Sequence, residues 1–125
     1  MKAIGIVALG GACGAVARYL IGWWVATRWP GPLPFGTIVV NLSGCFLLGL
    51  ALTALPRFFD QPEALRLFIG VGFLGAYTTF STFEYETLGL LEKGNVRAAL
   101  LNIAVSLLLG LLAVGAGATL GRRLP

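Results

Sequence analysis

Gly70-Val71-Gly72-Phe73-Leu74-Gly75-Ala76-Tyr77-Thr78-Thr79-Phe80-Ser81-Thr82-Phe83 is an uncharged run that suits a uniform helix poorly. Its glycines each cost roughly 1 kcal/mol relative to alanine inside a helix, and they lead into β-branched and hydroxyl-bearing residues. A helix break is predicted near residues 75–79, where backbone groups would leave the helical ladder. In a membrane, irregular backbone is tolerated only where protein buries it or it faces a water-filled cavity. Freed carbonyls attract cations, as discontinuous helices do in transporters. Freed N–H groups and hydroxyls attract anions.

The rest of the chain places this run in a membrane. Of 125 residues, 58% are hydrophobic and 11% charged, with a mean hydropathy of +0.90. Soluble domains carry about 25% charged residues, so a soluble globular protein is excluded. Glycine is abundant without a collagen-like period, and the chain is too apolar to be disordered. With no histidine and two cysteines, most metal sites and most acid/base enzymes lack their usual side chains. The net charge of +4 comes from basic residues scattered singly, so no nucleic-acid partner is expected.

Crossing hydrocarbon takes about 20 helical residues. Ala3 to Thr27 is apolar except for Arg18, and Trp29 to Pro56, Leu67 to Phe83 and Ala98 to Gly121 are free of charge. The expectation is an all-α membrane protein, one domain over residues 1–125, with spans near 3–27, 34–55, 65–90 (broken) and 97–120. Prolines in Arg28–Pro34, Pro56 and Pro62 beside charges, and Glu92-Lys93-Gly94-Asn95 mark short loops, so successive helices run antiparallel. The first segment reads as too long for a cleaved signal peptide, and Arg18 interrupts it. Cys13 and Cys45 fall within spans and read as small apolar residues rather than a disulfide framework.

The basic residues do not choose an orientation. Lys2, Arg57, Arg66, Arg122 and Arg123 lie on one side, and Arg18, Arg28, Lys93 and Arg97 towards the other, five against four. The balance is either noise or the mark of a subunit that inserts both ways. Four helices leave little room for an aqueous path, and no internal repeat is evident. A transporting assembly would need its symmetry from a second copy.

Each polar residue within a span has a structural and a functional reading. Arg18 either snorkels to an interface or makes an aqueous mouth positive. The preceding Gly10 and Gly14 form a GxxxG pair suited to close helix contact. Asn41 is either an interhelical hydrogen bond or a pore-lining donor. Phe80 and Phe83 share a helix face. They either pack in core or lipid, or turn their electropositive ring edges to a small, hard anion. Asn102 and Ser106 share a face of the fourth span as ordinary helix glue or as a polar track.

In order along the chain, Gly10-Gly11-x-x-Gly14-Ala15-x-x-Arg18, Gly36-Thr37-x-x-x-Asn41-x-x-Gly44 and Gly72-x-x-Gly75-x-x-Thr78-Thr79-Phe80-Ser81-Thr82-Phe83 resemble the CrcB/Fluc family of fluoride channels. The resemblance covers nearly the whole chain. It implies an antiparallel, dual-topology homodimer in the cell inner membrane that passively exports cytoplasmic fluoride through two narrow pores, each lined by both subunits. By that resemblance Phe80 and Phe83 present ring edges to fluoride, and Asn41 donates an amide hydrogen bond. Ser81, Thr82 and Ser106 line the pore. Arg18, Glu86 and Asn102 belong to a vestibule. A central structural sodium ion is held by the backbone carbonyls of Gly75 and Thr78. Some family members carry a tyrosine where this chain has Asn102, which replaces a phenol with an amide.

Two other classes compete. Small multidrug transporters depend on a carboxylate in the first span, where this chain has only Arg18. A non-transporting membrane subunit would use its polar residues as helix glue alone. No nucleophile–base pair or metal cluster suggests an enzyme.

Overall fold

A computed structural model describes residues 1–60 and 62–124. Among these residues the regular structure is helical throughout. Four helices are long and apolar enough to cross a membrane: α1 (Lys2–Arg28), α2 (Phe35–Phe58), α3 (Glu63–Glu92) and α4 (Val96–Arg123). Large apolar side chains such as Ile4, Leu9, Leu108, Leu111 and Leu112 point outward along them. A water-soluble monomer does not carry so extensive an apolar surface, and a lipid bilayer accommodates it.

The helix ends follow from local chemistry. α1 ends where Trp24 and Trp29 pack edge to face at 5.8 Å and the Arg28 guanidinium lies 5.7 Å from the Trp24 ring centre. Such aromatic and cationic groups suit the membrane–water interface. α2 continues through Pro56 to Phe58, beyond the limit at residue 55 expected from the proline. Proline φ is compatible with a helix, and the cost of Pro56 falls on the preceding turn, where the Leu52 carbonyl loses its usual donor. Between α3 and α4, Gly94 takes φ 72°, a left-handed value that favours glycine. The N–H groups of Gly94 and Asn95 return to the carbonyls of Leu91 and Leu90, both at 2.9 Å. Asn95 Oδ1 then accepts the Ala98 N–H at 3.3 Å, capping α4.

Two close helix contacts organise the bundle. α1 lies along the first part of α3, and a Cβ at Gly14 would collide with the Phe73 carbonyl. α2 lies along the C-terminal part of α4, and a Cβ at Gly117 would collide with the Phe46 carbonyl. Such contacts give van der Waals packing where lipid removes the hydrophobic drive between helices. Val40, Leu74 and Tyr77 form a buried cluster where α2 meets α3, flanked by Ala17, Leu48, Ile69 and Phe73.

α3 changes character along its length. Arg66–Leu74 is wound as a wider π-helix, Gly75–Tyr77 is α-helical, and Phe80–Glu92 is α-helical again. Between the last two, Thr78 (φ −78°, ψ 156°) and Thr79 (φ −149°, ψ 110°) have extended backbone. Extended geometry suits β-branched threonine.

Candidate functional site

The Thr78 N–H still donates to the Leu74 carbonyl at 3.1 Å, but the backbone of Thr79 is satisfied by a side chain rather than by the helical ladder. In an uninterrupted α-helix the Thr79 N–H would donate to the Gly75 carbonyl, and the Thr82 N–H to that of Thr78. Here Thr79 N–H donates to Asn41 Oδ1 at 2.7 Å. Thr82 N–H donates to Thr79 Oγ1 at 3.3 Å, an N-cap for the second part of α3. Asn41 Nδ2 also donates to the Thr79 carbonyl at 3.0 Å, so one amide from α2 engages both backbone groups of Thr79. The Thr79 hydroxyl donates to Thr82 Oγ1 at 2.9 Å, and the Thr78 hydroxyl turns back to the Leu74 carbonyl at 3.0 Å. Asn41 and Thr82 thus converge on Thr79.

Phe80 and Phe83 follow directly, their ring centres 5.7 Å apart and their planes inclined at 44°. They are unequally placed: Phe80 is 68% exposed on the single chain and Phe83 only 4%. Ser81 is exposed beside Phe80. Behind Phe83 runs a relay of hydrogen bonds. Ser106 Oγ donates to Asn102 Oδ1 at 3.5 Å, Asn102 Nδ2 to Thr87 Oγ1 at 2.9 Å, and the Thr87 hydroxyl to the Phe83 carbonyl at 2.7 Å.

Asn102, expected in a vestibule, is 1% exposed and lies between α3 and α4 of its own chain. Its amide is compact enough to be enclosed, with a partner for each end. Replacing it by leucine would leave Thr87 Oγ1 without this donor in an apolar setting, at a cost of about 1–3 kcal/mol. Thermal unfolding of Asn102→Leu is expected to show a corresponding loss of stability, and an unchanged midpoint would contradict the relay.

Arg18 and Glu86 lie along a groove between α1 and α2. Its upper part, about 510 Å³, is lined by residues that include Trp23, Trp29, Thr37 and Glu86. Its lower part, about 200 Å³, includes Arg18, Thr37, Thr79 and Thr82. Tyr19, Gly22, Gly36 and Thr37 border both parts, so the groove leads from the α1–α2 loop to the extended segment. Glu86 Oε1 accepts the Thr37 hydroxyl at 3.0 Å. Glu86 Oε2 is buried, with no hydrogen-bond partner among the described residues.

Thr37, Thr79 and Thr87 were not singled out from sequence as functional, although each holds a residue that was. Thr79 had a legible signal in its N-cap spacing to Thr82. Thr37 stands in the second of the three motifs without an assigned role, and Thr87 had no signal beyond being a hydroxyl in an apolar helix.

Residues 5–118 match the family described as CrcB-like protein, Camphor Resistance (CrcB). The chain belongs to this family. The CrcB-like chain is 52% identical over 118 residues to a protein of Acidobacterium capsulatum named fluoride-specific ion channel FluC, covering 94% of each. A protein of the same name from Solibacter usitatus is 47% identical over 118 residues, covering 94% of this CrcB-like chain and 97% of the relative. Another from Hydrogenovibrio crunogenus is 44% identical over 117 residues, covering 94% and 89%.

Proposed function

We propose that this protein is a fluoride-selective, passive ion channel that exports cytoplasmic fluoride across the cell inner membrane. The observation that carries the reading is the 52% identity, over 94% of the chain, to a relative named as a fluoride-specific ion channel. The four helices form one transmembrane domain, and two copies pair antiparallel as a dual-topology homodimer with two pores. The near-even distribution of basic residues and the outward apolar surface support that pairing.

The chemistry of the polar residues fits the task. Fluoride is small and strongly hydrated, so a pore must replace its water with many donors while letting the ion leave. Phe80, Phe83, Asn41, Ser81, Thr82 and Ser106 offer ring edges, an amide and hydroxyls, with no fixed charge to trap the anion. Arg18 and Glu86 line the vestibule. Asn102 stands behind Ser106 and acts through it.

A structural sodium ion completes the proposal. The diverted Thr79 and Thr82 N–H groups leave the carbonyls of Gly75 and Thr78 without their usual helical donors, an all-oxygen set that suits a hard monovalent cation. These two carbonyls, from each of two subunits, would hold the ion, which would supply fixed positive potential within the bilayer. Within the chain a Cβ at Gly75 would meet only the Gly70 carbonyl oxygen, at 3.6 Å.

Expression in a bacterial strain sensitised to fluoride tests the function. Growth in fluoride medium is expected to be restored by this protein. Absence of rescue, with the protein present in the membrane, would contradict export.

A further inference from the structure

The Asn41 amide engages Thr79 in a way that a pore-lining donor alone does not require. An extended residue directs its N–H and C=O to the same side, as in a hydrogen-bonded strand pair. Thr79 has that geometry, and Asn41 takes the place of the neighbouring strand, accepting at 2.7 Å and donating at 3.0 Å. Both contacts come from one side chain on another helix, 38 residues away in sequence. A backbone pair of this kind left unpaired away from water is costly, so it must find other partners when Asn41 is removed.

Without Asn41, the nearest alternative acceptor along the chain for the Thr79 N–H is the Gly75 carbonyl, one helical turn earlier. Closing that turn would occupy the oxygen that the proposed function assigns to sodium. We infer that Asn41 is a positioning residue for the cation site: by accepting the Thr79 N–H it keeps the Gly75 carbonyl free to coordinate a monovalent cation. This rests on the cation part of the proposed function. One Asn41 N–H remains beyond the bond to Thr79, so a single amide serves the cation carbonyls and the fluoride path. Their binding is then coupled, and coupling of this kind is reciprocal.

The test uses the purified dimer in detergent. Thermal unfolding is followed as sodium chloride replaces N-methyl-D-glucamine chloride at constant ionic strength. The wild type is expected to be stabilised by sodium in a saturable way. In Asn41→Leu, which can neither accept nor donate, the half-saturating sodium concentration is expected to rise about tenfold or more. Asn41→Asp still accepts the Thr79 N–H and is expected to keep its sodium response. A role in packing alone would lower the unfolding midpoint equally with and without sodium.

A wild-type sodium dependence in Asn41→Leu would overturn the inference. So would loss of the response in Asn41→Asp, which decides the matter should the leucine variant not fold. A wild type indifferent to sodium would also overturn it, while fluoride flux would still be judged by its own assay.

Discussion

Phe80→Ile and Phe83→Ile are each expected to leave a folded, correctly assembled protein whose fluoride flux is reduced by roughly tenfold or more. Isoleucine keeps the apolar character of the site but has no ring edge to offer an anion. Folding should survive for different reasons at the two positions. Phe80 is 68% exposed on the chain, so its loss removes little internal packing. Phe83 is 4% exposed, yet the Thr87 hydroxyl bonds to its backbone carbonyl, and the relay from Ser106 is independent of the ring. Exchanging buried apolar groups of similar size usually costs under about 1.5 kcal/mol. Reconstituted flux and size-exclusion profiles, measured side by side, separate conduction from assembly. Wild-type flux in both variants would contradict the role of the rings.

Gly117→Leu should destabilise the fold by about 3 kcal/mol, because the overpacking meets backbone that cannot yield easily. The added Cβ would fall on the Phe46 carbonyl, with the Leu50 N–H 2.9 Å away, where α2 and α4 are closest. Gly115 supplies the control on the same helix: a Cβ there meets nothing within 4 Å. Both substitutions gain the same intrinsic helix propensity, so a difference between them isolates the helix–helix contact. Gly117→Leu is expected to aggregate or to unfold at markedly lower temperature, and Gly115→Leu to behave as wild type. Equal stability would contradict the close α2–α4 packing.

The four long apolar helices were legible because hydropathy and prolines report directly on apolar helices and on loops. α2 runs on past Pro56 because proline φ suits a helix. Gly10 and Gly14 announced their contact through spacing alone. Partnerships were harder to foresee. Asn41 could be identified as a costly amide in an apolar helix, but its pairing with Thr79 depends on a backbone conformation 38 residues away. Asn102 carried the same signal, and its enclosure behind Thr87 follows from how α3 and α4 meet. The partners of Thr37 and Thr87 were invisible for a simpler reason. A threonine in an apolar helix commonly bonds its own preceding turn, as Thr53 and Thr119 do here, so its type does not reveal a distant partner.

Selective fluoride conduction is tested most directly by efflux from liposomes containing the purified wild-type protein. The vesicles are loaded with fluoride or with chloride, and release is read by the matching ion-selective electrode. Rapid release of fluoride with chloride retained is the expected result. Retention of fluoride by vesicles shown to hold folded, assembled protein, or equal release of both ions, would contradict a fluoride-selective channel.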